Sequence, residues 1–308
     1  MNDVTIQIGG EAGFGIMSAG TMLAKAFSRA GYHILATNEY PSLIRGGQNT
    51  VTIRVSGKKF YSLTKSVHIV IALNKEAIEK GKQSLVAPGC IVFDPKDTGE
   101  EKPEEPAGCS LLSVPLTQIA QELKKDMIVR NTIAIGAVMA ITGMDFSFLE
   151  GVITDQFSKK GEGIVTENIQ AARAGFEAAK NGSTGSLVLD APSEKEKNYI
   201  MNASEAVGLG AIESGMKFAA IYPMTPINAL ITFFADNAKK FGIVYKQPED
   251  EIAAINMALG ASIAGARSMV ASSGGGFALM VEGVSLAGIT ETPLVIDLGM
   301  RPGPATGM

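Results

Sequence analysis

The sequence predicts an α/β protein with two domains, the second built on a doubly wound parallel sheet. Apolar, strand-like runs alternate with segments of helical spacing along most of the 308 residues. Strands separated by helices of this length are typical of parallel sheets with helices on both faces. A Gly/Ser-rich stretch and a charged run interrupt the pattern. We therefore expect a first domain at residues 1–181, a linker at 182–197 and a second domain at 198–308.

Composition indicates a globular chain and argues against several kinds of partner. Hydrophobic residues make up 46% of the chain and charged residues 19%, which is enough apolar material for a core. The net charge of −4 gives no reason to expect nucleic acid or an anionic membrane. No apolar run is long enough to span a bilayer, and the chain begins without a basic signal segment. The expected location is the cytoplasm.

Metal and redox centres are not expected within this chain. Two cysteines, Cys90 and Cys109, are too few for an iron–sulfur cluster and are not spaced as a redox pair. The two histidines, His33 and His68, lack the spacing of a zinc site. We interpret the cysteines as reduced thiols of a cytosolic protein.

The first domain opens with a strand at residues 4–8, a glycine-rich turn at 9–15 and a helix from about residue 16. This order lets backbone N–H groups and a helix N-terminus face an anion, so a bound phosphate is one interpretation. The spacing is not G-x-G-x-x-G, and a turn that uses glycine only for its geometry is the alternative. Further on, Arg45 lies between a proline turn and a Gly-Gly pair, where it is suited to a carboxylate or phosphate. An exposed arginine on a hairpin-like loop is the other interpretation.

The remaining elements of the first domain follow from periodicity. The predicted helix at residues 131–142 is apolar nearly all round, which indicates that it is buried. The run at 67–73 is continuous and apolar, as in a buried parallel strand. Other strands are predicted at 33–37, 49–56 and 90–93, and other helices at 75–85, 116–125 and 166–180.

The second domain contains the predicted ligand-binding edge. Two prolines three residues apart, Pro223 and Pro226, end a strand at 218–221 in a stiff turn. In open α/β sheets, ligands bind outside the carboxyl ends of the strands. Loops at 222–226, 272–276 and 299–303 are expected to meet at that edge. The other predicted elements are helices at 202–215 (with Ser204 as N-cap), 227–241, 251–266 and 277–291, and strands at 243–245, 268–271 and 293–298.

Several stretches of the second domain form a recognisable set, at residues 222–226, 249–254, 272–280, 290–293 and 301–304. This set resembles the pyrimidine-binding domain of the α subunit in thiamine-diphosphate-dependent 2-oxoacid:ferredoxin oxidoreductases. Residues 9–15 and 40–48 resemble the γ domain of the same enzymes. The chain is therefore similar to a fused γ–α subunit of the 2-oxoglutarate or pyruvate ferredoxin oxidoreductase type. Its last residues fall inside a motif after which the family's α subunits continue, so we expect it to be truncated.

The resemblance implies a role for individual residues. Glu251 would share a proton with the aminopyrimidine ring of thiamine diphosphate, which requires a carboxyl group in an apolar pocket. Thr225 and Arg301 would hold the carboxylate of a 2-oxoacid. The remaining implied contacts are to the cofactor at Tyr222, Pro223, Ser273, Gly274 and Gly275, and to coenzyme A at Gly10, Gly13, Gly15 and Arg45.

The same residues have ordinary structural interpretations. Glu251 is the third acid of a run after Pro248, where acidic side chains commonly stabilise the first turn of a helix. Thr225 is equally suited to stabilising a turn, and Arg301 to standing on the surface before a Pro-Gly-Pro loop. The resemblance favours the catalytic interpretation for Glu251 only among the three acids.

The resemblance also implies that the chain works in an assembly. It lacks the Gly-Asp-Gly segment of the family's magnesium–diphosphate site. A separate β subunit is therefore expected to hold the diphosphate, Mg²⁺ and a [4Fe–4S] cluster, in a heterodimer or a dimer of heterodimers. The expected reaction is the oxidative decarboxylation of a 2-oxoacid to acyl-coenzyme A and CO2, with electrons passed to ferredoxin. The alternative is a non-catalytic nucleotide-binding, phosphate-binding or scaffolding subunit.

Overall fold

The alternating strands and helices form two separate units, Met1–Ile200 and Met201–Met308. The computed structural model describes residues 1–41, 47–98, 103–123, 125–180, 185–192 and 198–301. Residues 182–184 and 193–197 of the predicted linker lie outside the described residues. The described part of that segment belongs with the first unit, because Leu187 and Leu189 are buried in its core.

A six-stranded mixed sheet organises the first unit. Its strands are β1 (Asp3–Glu11), β2 (His33–Glu39), β3 (Gln48–Ser56), β4 (Val67–Ala72), β5 (Leu85–Phe93) and β6 (Cys109–Ser113). Their order across the sheet is β2-β3-β1-β4-β5-β6. β3 pairs antiparallel with β1 and β2, whereas β1, β4, β5 and β6 run parallel. β1 alternates in sequence but is buried nearly throughout, because it lies in the middle of the sheet.

The helices of the first unit enclose α5, an apolar helix with no free face. They are α1 (Ile16–Arg29), α2 (Lys75–Ser84), α3 (Pro95–Thr98), α4 (Leu116–Glu122), α5 (Arg130–Ile141), α6 (Phe146–Phe157) and α7 (Glu162–Lys180). Every residue of α5 except Ala140 is buried, as its apolar sequence predicts. Two glycines let α5 and α7 touch: a Cβ atom would lie 1.9 Å from Ala172 O if added at Gly136, and 1.8 Å from Ile133 O if added at Gly175.

The second unit contains a four-stranded parallel sheet. Its elements are α8 (Ala203–Glu213), β7 (Phe218–Ile221), α9 (Asn228–Phe241), β8 (Val244–Lys246), α10 (Glu251–Ile263), β9 (Ser268–Ser272), α11 (Gly274–Ile289) and β10 (Val295–Leu298). The strand order is β10-β9-β7-β8, with every pair parallel. The chain moves from β7 to β8 on one side and then returns to β9 on the other. The switch point, where ligands bind in such sheets, therefore lies between β7 and β9.

Period-2 alternation assigns the side chains of β7 and β9 to two faces. Ala219 and Ala271 belong to a core with Leu230 and Phe234 of α9. Ala220 and Val270 belong to another core, completed by α10 and α11. Helices thus cover both faces, which confirms the doubly wound arrangement. Within the described residues, no helix is long and apolar enough to cross a membrane.

Some sequence-based boundaries were wrong. Helix α8 begins after Asn202 and not at Ser204: the Asn202 side chain accepts a hydrogen bond from Glu205 N, and the Glu205 carboxylate accepts one from Asn202 N, each at 2.8 Å. Helix α11 begins at Gly274, three residues before the predicted start. Strand β6 and helix α6 were not predicted.

Candidate functional site

The carboxyl edge of the second sheet is held together by contacts between its loops. Gly299, after β10, donates its N–H to Ser272 O at the end of β9, at 3.0 Å. A Cβ atom added at Gly299 would lie 2.7 Å from Ile227 Cδ1 and 3.2 Å from Pro226 Cγ, so this loop packs on the turn after β7. Three loops therefore meet beside the switch point, as the sequence predicts. Residues 302 and 303 of the third loop lie outside the described residues.

The three acidic residues at the start of α10 lie in three different environments. Glu249 is exposed. Asp250 is the N-cap of α10, and its Oδ1 atom accepts a hydrogen bond from Ala253 N at 2.7 Å. Glu251 is only 3% exposed, and its Oε1 atom is buried without a hydrogen-bond partner among the described residues. Capping is therefore the role of Asp250, and Glu251 needs another explanation.

Glu251 lies against the start of α11. A Cβ atom added at Gly276 would lie 2.7 Å from Glu251 Oε1 and 1.9 Å from Ser272 Oγ. Ser272 and Ser273 are fully buried, and neither hydroxyl has a hydrogen-bond partner within the described part of the chain. A buried polar group without a partner costs about 1–3 kcal/mol, and more when it is charged. Three such groups at one sheet edge are typical of a site that a polar ligand completes.

The residues expected to bind substrate lie on the loops of the same edge. Thr225 and Arg301 are both half-buried. Thr225 precedes Pro226, which packs against Gly299, and Arg301 follows Gly299 by two residues. These contacts bring the turn that contains Thr225, after β7, close to the segment that contains Arg301, after β10. Of the other residues expected to line the cofactor, Tyr222, Gly274 and Gly275 are half-buried and Pro223 is exposed.

The glycine-rich turn of the first unit is fixed by its own contacts. Gly10 belongs to β1, where a Cβ atom would lie 3.0 Å from Leu73 Cβ. Gly13 and Gly15 have positive φ values of 98° and 71°, which favour glycine. Asn131 Nδ2 donates to Phe14 O at 2.9 Å. The φ values fit the geometric interpretation of Gly13 and Gly15, whereas the coenzyme A contacts stay predictions, and Arg45 lies outside the described residues.

An ion cluster that the sequence analysis missed lies at the end of β5. Arg130 pairs with Asp94 at 3.4 Å and with Asp97. Asp94 is buried and accepts hydrogen bonds from Thr117 N at 2.6 Å and Lys96 N at 3.0 Å. Burial raises the pKa of Asp97, and Arg130 opposes that shift. Two sequence signals could have indicated this cluster: an acid directly after an apolar strand, and an arginine at the start of an apolar helix.

The two cysteines are free thiols in neighbouring strands. Cys90 is buried in β5 and Cys109 is half-buried in β6. Burial raises the pKa of both thiols. Among the residues that the structure describes, no group of three or more His, Cys, Asp or Glu side chains is arranged to hold a metal ion.

Family models match both units. Residues 5–178 match the model for pyruvate ferredoxin/flavodoxin oxidoreductase. Residues 209–308 match the thiamine diphosphate-binding domain of pyruvate flavodoxin/ferredoxin oxidoreductase. The second match includes Glu251, Ser272 and the loops of the candidate site.

Curated relatives match the whole chain or part of it. The 2-oxoacid:ferredoxin oxidoreductase 2 subunit alpha of Aeropyrum pernix is 29% identical over 364 residues, covering 100% of this chain and 56% of the relative. The 2-oxoglutarate synthase subunit KorA of Archaeoglobus fulgidus is 49% identical over 109 residues, 35% of this chain and 32% of that protein. The chain thus spans about half the length of the full-span relatives it matches.

Two solved structures are similar to this chain. The 2-oxoglutarate:ferredoxin oxidoreductase from Magnetococcus marinus, with 2-oxoglutarate, coenzyme A and succinyl-CoA bound, has a TM-score of 0.88 and 35% identity, over 100% of this chain and 54% of that one. The keto/oxoacid ferredoxin oxidoreductase gamma subunit from Geobacter sulfurreducens shares the fold of 58% of this chain, with a TM-score of 0.50, 24% identity and 97% of its own length covered. The chain therefore belongs to the pyruvate ferredoxin/flavodoxin oxidoreductase family, and its first unit, which has the fold of a γ subunit, precedes a thiamine diphosphate-binding unit.

Proposed function

We propose that this chain is the γ–α part of a 2-oxoacid:ferredoxin oxidoreductase. The reaction is the oxidative decarboxylation of a 2-oxoacid to acyl-coenzyme A and CO2, with electrons passed to ferredoxin. The observation that carries the proposal is the buried, unpartnered Oε1 atom of Glu251 at the switch point of a thiamine diphosphate-binding fold. The family match favours this function over a non-catalytic nucleotide-binding or scaffolding role.

Glu251 is the residue proposed to handle the proton. Thiamine diphosphate, when bound, would supply a nucleophilic carbon and an electron sink for the decarboxylation. The Glu251 carboxyl group shares a proton with the aminopyrimidine ring, which requires a carboxyl group shielded from water. Its 3% exposure and its unpartnered oxygen fit that requirement. Tyr222, Pro223, Ser273, Gly274 and Gly275 are proposed to line the cofactor.

Thr225 and Arg301 are proposed to bind the substrate carboxylate. A guanidinium group forms charge-assisted hydrogen bonds with a carboxylate, and a hydroxyl adds a directional donor. Both residues are half-buried on loops of the same sheet edge. We propose 2-oxoglutarate, or a broad range of 2-oxoacids, as substrate, since relatives are named for 2-oxoacids and 2-oxoglutarate.

Partners complete the proposed enzyme. Full-span relatives are named alpha subunits, which supports a separate β subunit. That subunit is proposed to hold the diphosphate, Mg²⁺ and a [4Fe–4S] cluster, and ferredoxin to accept the electrons. Coenzyme A is the proposed co-substrate, since the Magnetococcus marinus enzyme was solved with it, and Gly10, Gly13, Gly15 and Arg45 are the proposed contacts. The assembly is proposed to be a cytoplasmic heterodimer or a dimer of heterodimers.

The test replaces the carboxylate in the assembled enzyme. Glu251→Gln keeps the shape of the side chain but cannot share the proton, so we expect turnover to fall by about 10²–10⁴-fold. Ferredoxin-dependent oxidation of 2-oxoglutarate measures this. Glu249→Gln is the matched control, because Glu249 is exposed in the same acidic run. Wild-type turnover in Glu251→Gln would contradict the proposal.

A further inference from the structure

A second polar group lies beside Glu251 at the end of β9. Ser272 is the last residue of that strand and is fully buried. Side chains alternate along a strand, so Ser272 shares a face with Val270 and Ser268. Val270 packs in the core formed with α10 and α11, and Ser268 Oγ donates to Ala258 O of α10 at 2.7 Å. Ser272 is therefore on the face where Glu251 lies.

The distances around Gly276 show how near the two groups are. A Cβ atom at Gly276 would lie 1.9 Å from Ser272 Oγ and 2.7 Å from Glu251 Oε1. The two oxygens are therefore no farther apart than the sum of these distances. Both atoms are enclosed and have no hydrogen-bond partner among the described residues. One is a carboxylate oxygen that needs a donor, and the other is a hydroxyl that can provide one.

We propose that Ser272 is a positioning residue: once the cofactor is bound, its hydroxyl, which has no partner among the described residues, donates a hydrogen bond to Glu251 Oε1 and directs the other carboxyl oxygen at the aminopyrimidine ring. This inference rests on the proposed function of Glu251. When a carboxyl group shares a proton through one oxygen, negative charge concentrates on the other, and a donor there keeps the group oriented. Gly276 belongs to the same arrangement, because a methyl group there would displace both oxygens.

The experiment compares Ser272→Ala with Ser268→Ala in the enzyme assembled with its β subunit. The two serines lie on the same face of β9, but only Ser268 has a hydrogen-bond partner, Ala258 O. The readouts are the rate at which the thiazolium C2 proton of bound thiamine diphosphate exchanges with deuterium, the Kd of the cofactor, and the thermal unfolding midpoint of the chain.

We expect the two variants to separate proton handling from stability. Ser272→Ala slows exchange at least about tenfold, leaves the Kd within about threefold, and does not lower the unfolding midpoint, because it removes an unpartnered hydroxyl. Ser268→Ala lowers the midpoint and leaves exchange within about twofold, because it removes a satisfied buried hydrogen bond. These results would show that Ser272 orients the carboxyl group of Glu251.

Each other outcome overturns the proposal in a recognisable way. Wild-type exchange in Ser272→Ala shows that Glu251 is oriented without it. A lowered midpoint in Ser272→Ala shows a structural role instead. Glu251→Gln distinguishes a failure of the proposed role of Ser272 from a failure of the proposed role of Glu251. If Glu251→Gln blocks exchange while Ser272→Ala does not, only the positioning role of Ser272 fails. If Glu251→Gln exchanges at the wild-type rate, the proposed function of Glu251 fails.

Discussion

Helices α5 and α11 are both rich in apolar residues, but α5 is buried whereas α11 is partly exposed. Both are apolar nearly all round, and α11 contains a single charged residue, Glu282. In the first unit, α5 is enclosed and makes backbone contact with α7 through two glycines. In the second unit, α11 leaves large side chains in the open, among them Leu279, Val281 and Ile289, the last 80% exposed. The first unit therefore buries its apolar helix by itself, whereas the described second unit does not.

The comparison shows what hydrophobicity alone can and cannot indicate. An apolar helix predicts that burial is favourable, but it does not say which part of the structure provides the cover. The stability of the first unit should therefore depend strongly on α5. The outer faces of α10 and α11 should contribute little to the stability of the chain as it stands.

The largest effect is expected at the crossing of α5 and α7. Gly175→Ala places a methyl group 1.8 Å from Ile133 O, which the backbone must move to avoid. We expect a loss of more than about 3 kcal/mol, or failure to fold. The matched control is Gly260→Ala in α10, where a Cβ atom meets nothing within 4 Å. That control should gain up to about 1 kcal/mol, because alanine favours helix.

Amide hydrogen exchange, read separately for the two units, measures both variants. Equal protection of α7 in Gly175→Ala and in the wild-type chain would contradict the claim that the first unit depends on α5, since it would mean that α5 and α7 can separate without cost.

A smaller difference is expected for two isoleucines. Ile135 in α5 is 0% exposed and Ile289 in α11 is 80% exposed. Ile135→Ala should cost about 2–5 kcal/mol, because it removes buried methyl groups and leaves a cavity. Ile289→Ala should stay within about 0.5 kcal/mol. Denaturant titration followed by circular dichroism tests this pair, and similar costs for the two variants would show that α11 is covered in the chain.

The smallest expected effect is the pH dependence that His68 contributes to the first unit, which contains both histidines of the sequence. Burial lowers the pKa of His68 from its ordinary value of 6.5, although Asp3 opposes the shift, and its Nδ1 accepts a hydrogen bond from Thr5 N at 3.1 Å. The folded chain therefore binds the proton less readily than the unfolded chain. Stability is complete above the unfolded pKa and falls as pH drops through and below that value.

Unfolding midpoints at about pH 7.5 and about pH 5.5 measure this effect. His68→Gln should reduce the difference between the two midpoints, whereas His33→Gln is the control. An unchanged difference in His68→Gln would assign the pH dependence to other groups.

Local sequence signals were enough to predict most helices and strands, but not the burial and contacts of individual side chains. The burial of α5 followed from its apolar periodicity. The start of α11 was placed late because three successive glycines disfavour a helix. In the structure Gly276 is helical and has no room for a side chain, since Ser272 and Glu251 occupy that space. Packing between distant segments thus overrides the local preference.

The candidate site shows the same limit. Glu249, Asp250 and Glu251 carry nearly the same local signal, and a helix start explains all three. The family resemblance singled out Glu251, and the fold then shows that Glu249 is exposed, Asp250 caps the helix and Glu251 is buried. The sequence also did not show that Ser272 lies near Glu251, because the two residues are 21 positions apart and come together only beside Gly276. The roles of Thr225 and Arg301 stay predictions.

Since Asp250 rather than Glu251 caps α10, the helix does not depend on the acid proposed for chemistry. An inert version of the protein can therefore be made without sacrificing its architecture. We expect Glu251→Gln protein to fold as the native chain does and, in the proposed assembly, to hold the proposed 2-oxoacid substrate without converting it. Such a trapped complex gives direct access to how this family selects among its substrates.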